Sequence, residues 1–264
     1  MSINNISAII LNVSPYRETS CILKLFSPEY GLITGIAKGV KKLKSRREPL
    51  ERGSHINLTV YFKKNRDINT VSNIHIIDFF PGIRSNLQKT AIRDITFELI
   101  IASIINYNPQ RELYSTLLKF LSQLEQLSET HTLYIQLWRF FYKFADISGF
   151  VPDFSQCIYC GTPIKESGYL LINKGGVSCR NCCKNDFSDP DCLIPERLFY
   201  ILASSILQSD NIPSFGSAEL LRITRLAVSY CRYHLDIHRE FKSLNFLEHL
   251  ILSETNCTSH IAGF

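Results

Sequence analysis

Cys157-Ile158-Tyr159-Cys160 and Cys179-Arg180-Asn181-Cys182 are two C-x-x-C pairs, with 18 residues between the inner cysteines. Two residues between thiols let one tight turn aim both sulfurs at a single ion, at about 2.3 Å each. Two such turns complete a tetrahedral four-cysteine site. Zinc is the expected metal, one per chain. Four protein ligands leave no open coordination position, so the role is structural. The spacer reads as a hairpin: Tyr169 to Ile172, a turn at Asn173-Lys174-Gly175-Gly176, then Val177 and Ser178. Cys183 and Cys192 are possible competitors for a ligand position, and the two-residue spacing favours Cys182. Cys21, Cys231 and Cys257 are read as ordinary thiols. Nine cysteines, an odd number, fit a reducing compartment better than a disulfide framework.

The second chemical feature is cationic. Residues 1–80 hold 12 Lys and Arg against 6 Asp and Glu, while residues 81–264 hold 17 against 18. The net charge of +5 therefore resides in the first third. Lys38, Lys41, Lys42, Lys44, Arg46 and Arg47 crowd one segment, a field suited to a polyanion. Phe26, Tyr30, Tyr61 and Phe62 are candidate faces for base stacking, each equally suited to a core.

Signatures of catalysis are absent. The chain has no phosphate-binding loop, no G-x-S-x-G and no H-E-x-x-H. His234 and His238 lie four apart on an expected helix, without a third ligand in view. A non-enzymatic protein is expected. No apolar run is long enough to span a bilayer, and the start of the chain lacks a basic leader. A soluble, cytoplasmic protein with no membrane partner is expected.

These residues need elements to hold them. Alternating polarity marks strands at Cys21–Leu25 and Ile56–Phe62, Leu32–Ala37 can form a return strand after the turn signal Pro28-Glu29-Tyr30-Gly31, and Ile6–Val13 and Ile68–Phe79 supply two more. Five short strands with one basic loop fit an oligonucleotide-binding (OB) barrel over 1–80. After Pro81-Gly82 the period becomes helical: Leu87 to Ala102, Leu113 to Leu127, and Leu133 to Ala145. A cysteine-rich insert occupies about 155–192. Helical spacing resumes at Pro195 and continues through Leu198–Leu207, Leu220–Leu235 and Leu244–Leu250, ahead of a short loose tail. The expected fold is α+β and multidomain. An OB-fold barrel (1–80) precedes an all-helical domain (81–264) that carries a four-cysteine zinc-finger insert.

Several motifs in order resemble bacterial RecO recombination mediators. They are Tyr16-x-Glu18, Leu25-Phe26-Ser27, Gly31, Ala37-Lys38-Gly39 and Lys44-Ser45. The stretch Ala91–Leu99 is similar to that family's first helix after the barrel, and Lys242-Ser243-Leu244 to its C-terminal helix. The paired C-x-x-C motifs fall where many members carry zinc. The chain departs from the pattern at Glu51-Arg52-Gly53-Ser54, where a proline–aromatic pair is common. The resemblance implies binding of single- and double-stranded DNA, strand annealing, and cooperation with RecR. It further implies helping RecA replace single-stranded-DNA-binding protein (SSB), whose acidic tail would dock on the helical domain. It places DNA contact on Lys38, Lys41, Lys42, Lys44, Arg46 and Arg47. The alternative reading is a zinc-ribbon module that binds RNA or serves transcription.

Overall fold

The computed structural model describes residues 2–40, 50–62, 67–104, 108–164, 168–183, 193–194 and 215–261, with side chains to Ser253. The chain divides into two compact units. One comprises Met1–Asn86 with Ile100–Gln126, the other Leu87–Leu99 with Leu127–Phe264.

In the first unit the alternating segments form five strands: β1 (Ser2–Tyr16), β2 (Ser20–Ser27), β3 (Gly31–Ala37), β4 (His55–Phe62) and β5 (Ile68–Asp78). Their order, β1-β2-β3-β5-β4, closes on itself through the β1–β4 pairing. A parallel pair, Thr34–Ala37 against Ile68–Val71, completes the barrel. Every second residue points inward. Ile6, Ala8, Ile10, Leu23, Leu25, Ile33, Ile56, Leu58, Val60, Val71 and Ile74 fill the interior. A turn over residues 28–30 joins β2 to β3. Gly31 has φ +58°, and a Cβ there would collide with the carbonyl oxygen of Asn108, so this position requires glycine on two counts.

Two helices complete this unit. A single turn, α1 (Pro81–Arg84), has its first N–H groups satisfied by Glu125, whose carboxylate accepts from Gly82 (2.7 Å) and Ile83 (2.8 Å). Glu125 ends the amphipathic helix α3 (Arg111–Gln126). That helix lays Tyr114 against Phe26, ring centroids 5.8 Å apart. The Tyr114 hydroxyl lies 3.0 Å from Ser7 Oγ, which is 2.8 Å from His55 Nε2.

Helix α2 (Leu87–Ser103) begins in the second unit. There α4 (Thr130–Ile147), α6 (Ser217–His234) and α7 (Lys242–Ile261) accompany it. Trp138 of α4 donates to Thr224 Oγ of α6 at 3.0 Å and packs edge-on to Phe215 at 5.3 Å. The carboxylate of Glu98 caps α7, accepting from the N–H groups of Lys242 (3.0 Å) and Ser243 (3.1 Å). Helix α7 runs to Ile261, well past the expected Leu244–Leu250 and into the residues read as a loose tail. The expected Leu198–Leu207 helix lies outside the described residues.

Between α4 and α6 the insert forms a small sheet of order β6-β8-β7-β9: β6 (Asp153–Cys157), β7 (Gly168–Leu171), β8 (Gly176–Cys179) and β9 (Leu193–Ile194). Strands β7 and β8 are the anticipated hairpin, turning through Ile172–Lys174 and Gly175 at φ +70°. A four-residue helix, α5 (Arg180–Cys183), follows β8. The Gly175 turn sits over Tyr230 and His234 of α6, and the His234 ring stacks on Phe150 at 5.3 Å. Because α6 stops at His234 and Asp236 turns back with φ +54°, His234 and His238 do not share a helix face. The first is packed among rings, whereas the second is exposed beside Asp236. That arrangement does not form a metal-binding pair.

Candidate metal centre and nucleic-acid interface

Backbone hydrogen bonds build each cysteine turn. After β6, the Cys157 N–H donates to Thr162 O and the Gly161 N–H returns to Cys157 O, both at 2.9 Å. Gly161 adopts φ +68° to close the loop. The Ile158 N–H donates to Val177 O of β8 at 3.0 Å, which ties the first turn to the strand that delivers Cys179. Cys182 follows one turn later, on α5.

The result is convergence. The sulfurs of Cys157, Cys160, Cys179 and Cys182 all lie within 4.8 Å of one another. Cys160 Sγ and Cys179 Sγ are 3.8 Å apart. A tetrahedron with metal–sulfur bonds of about 2.3 Å has edges of about 3.8 Å, so the donor set fits a tetrahedral ion. Cys157 is buried and Cys160 exposed, with the other two between. Cys183 is buried outside this group and Cys192 lies beyond the described residues. Cys21 and Cys231 are buried thiols in a strand and a helix, and the Cys257 side chain is not among those described.

The electrostatics suit a proton-for-metal exchange. Burial opposes ionisation of Cys157, but N–H groups of Cys179, Cys160 and Tyr159 outweigh it and pull the thiol down to about 6. Thr162, whose hydroxyl lies 3.3 Å from the sulfur, lowers Cys160 as well. Cys182 is pushed up to about 12, because its hydrogen bonds to Cys160 and Cys179 favour the protonated form. Metal binding at such thiols releases their protons, so occupancy depends on pH.

The cationic segment is positioned differently. It leaves β3 at the buried Ala37, and Lys38 is exposed. Val40 within it and Leu50 after it both pack against the barrel core. Lys41, Lys42, Lys44, Arg46 and Arg47 lie outside the described residues. The stretch Glu51–Ser54, where the chain departs from the family pattern, is firmly held. Gly53 N–H donates to Ile10 O (2.8 Å), Ile10 N–H donates to Ser54 O (2.9 Å), and Glu51 pairs with Arg84 at 2.6 Å.

Of the four aromatic candidates, Phe26 is completely buried, between the barrel and Tyr114, and offers no face to a base. Tyr30 and Phe62 contact each other at 4.7 Å and lean on the core. Tyr61 is half-buried and lies 3.4 Å from Ser72 Oγ. Packing at the barrel claims Phe26, Tyr30 and Phe62, which the strand period alone left open.

Among the described residues, no helix is long and apolar enough to cross a membrane. Residues 1–80 match the family profile described as recombination protein O N terminal, and residues 84–244 match recombination protein O C terminal. The chain is 27% identical over 240 residues to the DNA repair protein RecO of Chlorobium limicola, covering 87% of this chain and 91% of that protein. It is 26% identical over 262 residues to the RecO of Pelodictyon phaeoclathratiforme, covering 93% and 97%. It is 28% identical over 184 residues to the RecO of Clostridium novyi, covering 70% and 71%. With both halves matched in order on a closed five-stranded barrel and a helical region bearing a four-cysteine cluster, the chain belongs to the recombination protein O family, whose role is DNA repair and recombination.

Proposed function

We propose that this protein binds single- and double-stranded DNA without turnover chemistry and anneals complementary strands. In cooperation with RecR, it helps RecA load onto gaps covered by SSB. The observation that carries this reading is the charge distribution: the entire cationic excess belongs to the barrel third of the chain. Two complementary strands repel, and a basic surface lowers that barrier while leaving bases exposed. Lys38, Lys41, Lys42, Lys44, Arg46 and Arg47 are the phosphate contacts. They fix position without reading sequence.

In this reading Cys157, Cys160, Cys179 and Cys182 hold one structural zinc. The softness of four thiolates and the tetrahedral spacing favour that ion. The metal's contribution is to fix the insert, since all its positions are taken by protein. RecR and the acidic tail of SSB are the protein partners, and the cytoplasmic nucleoid is the site of action.

Salt titration of oligonucleotide binding tests the proposal. With about six phosphates neutralised, the log–log slope on single strands is expected near −4, at about −0.7 per contact. Replacing Lys41, Lys42, Lys44, Arg46 and Arg47 with alanine should remove most of that slope and abolish annealing, with no loss of folded structure by circular dichroism. A slope near zero in the parent protein would refute the electrostatic model. RNA titrated in parallel, bound in preference to DNA, would favour the RNA-module alternative.

A further inference from the structure

We propose that Cys160 and Cys179 form an oxidation site, at which a peroxide converts the two thiolates to a disulfide and the metal ion leaves. The proposal rests on the four-cysteine zinc reading above and adds a chemical route by which the ion is removed and restored.

Access favours this pair. The four cysteines are not equally sheltered. Cys157 is 1% exposed, whereas Cys160 is exposed and Cys179 half-buried. The surroundings of Cys160 are open as well. Tyr159 is exposed, and a Cβ on Gly161 would meet nothing within 4 Å. A small oxidant therefore reaches Cys160 without any unfolding. Cys21, Cys183 and Cys231 are buried, so burial directs the oxidant to the cluster.

Proximity supplies the partner. Cys160 Sγ and Cys179 Sγ are 3.8 Å apart. A disulfide bond is about 2.05 Å long, so the sulfurs must close by roughly 1.8 Å. The backbone bonds that hold the first turn are made by Cys157, Ile158 and Gly161. Turning the Cys160 side chain leaves those bonds in place and gives up its 3.3 Å contact with Thr162 Oγ1. The pair also spans two segments: Cys160 belongs to the turn after β6, and Cys179 ends β8. A bond between them joins the same segments that the ion joins. The insert thus keeps a cross-link while the ion is away.

The chemistry balances with peroxide as the oxidant. A metal-bound cysteine is a thiolate. The Cys160 sulfur uses an electron pair to form an S–O bond, the O–O bond breaks, and the departing hydroxide takes a proton to become water. The product is a sulfenic acid. The Cys179 thiolate attacks that sulfur, the S–O bond breaks, and the second oxygen leaves as water after taking another proton. In total, two thiolates, one hydrogen peroxide and two protons give one disulfide and two waters. Disulfide sulfur is uncharged and a poor ligand, so half of the donor set is lost and the ion is released. In a reducing compartment such disulfides are transient and serve sensing. A thiol reductant reverses the step and returns all four donors.

The experiment exposes the zinc-loaded full chain to hydrogen peroxide. A chromogenic chelator reads released zinc, and non-reducing peptide mass spectrometry maps disulfides. One equivalent of zinc should appear together with a cross-linked peptide joining Cys160 to Cys179, two hydrogens lighter than the reduced pair. Reductant followed by zinc should return the metal content to one equivalent. Cys160→Ser should slow release about tenfold, while Cys183→Ser should leave it unchanged. Should Cys160→Ser fail to hold metal, the peptide map of the parent protein decides. Zinc retained and thiols left free, at peroxide doses that oxidise a model thiol, overturn the proposal, as does a map dominated by another cysteine pair. Protein purified without chelator but free of metal would instead sink the zinc reading, an outcome that the metal assay separates from a failure of the oxidation.

Discussion

The cysteine insert and the barrel solve the problem of holding a charged ligand in opposite ways. The insert is arranged for a point. Its four sulfurs must meet within one coordination sphere, and β6, β8 and α5 deliver them there to within 4.8 Å. In the proposed function the barrel faces a line of phosphates. Its cations need only occupy one side of the molecule, since their field reaches about 8–10 Å at physiological salt. A metal site is therefore written in exact spacings. A polyanion site is written in composition, and its individual contacts can be exchanged without loss.

The contrast is broken most severely at the insert. Chelation, or Cys157→Ser, should unfold the region around 155–190, because metal-binding free energy at such sites, about 10–16 kcal/mol, is also folding energy. Hydrogen exchange should show protection lost there, while the barrel keeps its exchange pattern and its salt-dependent DNA binding. Metal analysis should fall from one equivalent to none. Protein purified without chelator and found metal-free would contradict the assignment, and simultaneous loss of barrel protection would deny that the two regions are independent.

A smaller effect is expected within the barrel unit. Gly31→Ala places a Cβ against Asn108 O at a positive φ, and should cost about 1–3 kcal/mol. Thermal or urea unfolding measures it, and the metal content should stay unchanged. An unaltered midpoint would mean that the 108–110 segment yields freely.

The smallest expected effect is a pH dependence confined to the barrel unit. Burial lowers the pKa of His55, and the charge of Asp78 only partly restores it. The neutral ring is thus favoured in the folded state. Its contribution is complete above the unfolded value of about 6.5, and it is lost as pH falls through the lower folded value. Unfolding midpoints between pH 7 and 5 should decline, and His55→Gln should flatten that decline. An equal slope in the variant would assign the protons elsewhere.

Much of this was legible in the chain itself. Alternation at Ile56, Leu58 and Val60 dictates a strand, because one face must be dry and the other wet. The two C-x-x-C pairs dictate a tetrahedral donor set, because the turn they make is local. The charge imbalance is a sum and requires no fold to be known. Other features required distant parts of the chain to meet. Phe26 reads as a possible stacking face until Tyr114 covers it. His234 and His238 read as a helical pair until α6 stops between them. The side chains of Asn5, Thr59 and Asn73 belong to three strands spread over nearly 70 residues, and only the barrel's register brings them together. Local spacing and summed charge survive in a linear chain. Side-chain neighbours from separate strands are fixed only when backbone pairing chooses a register, and that choice belongs to the tertiary fold.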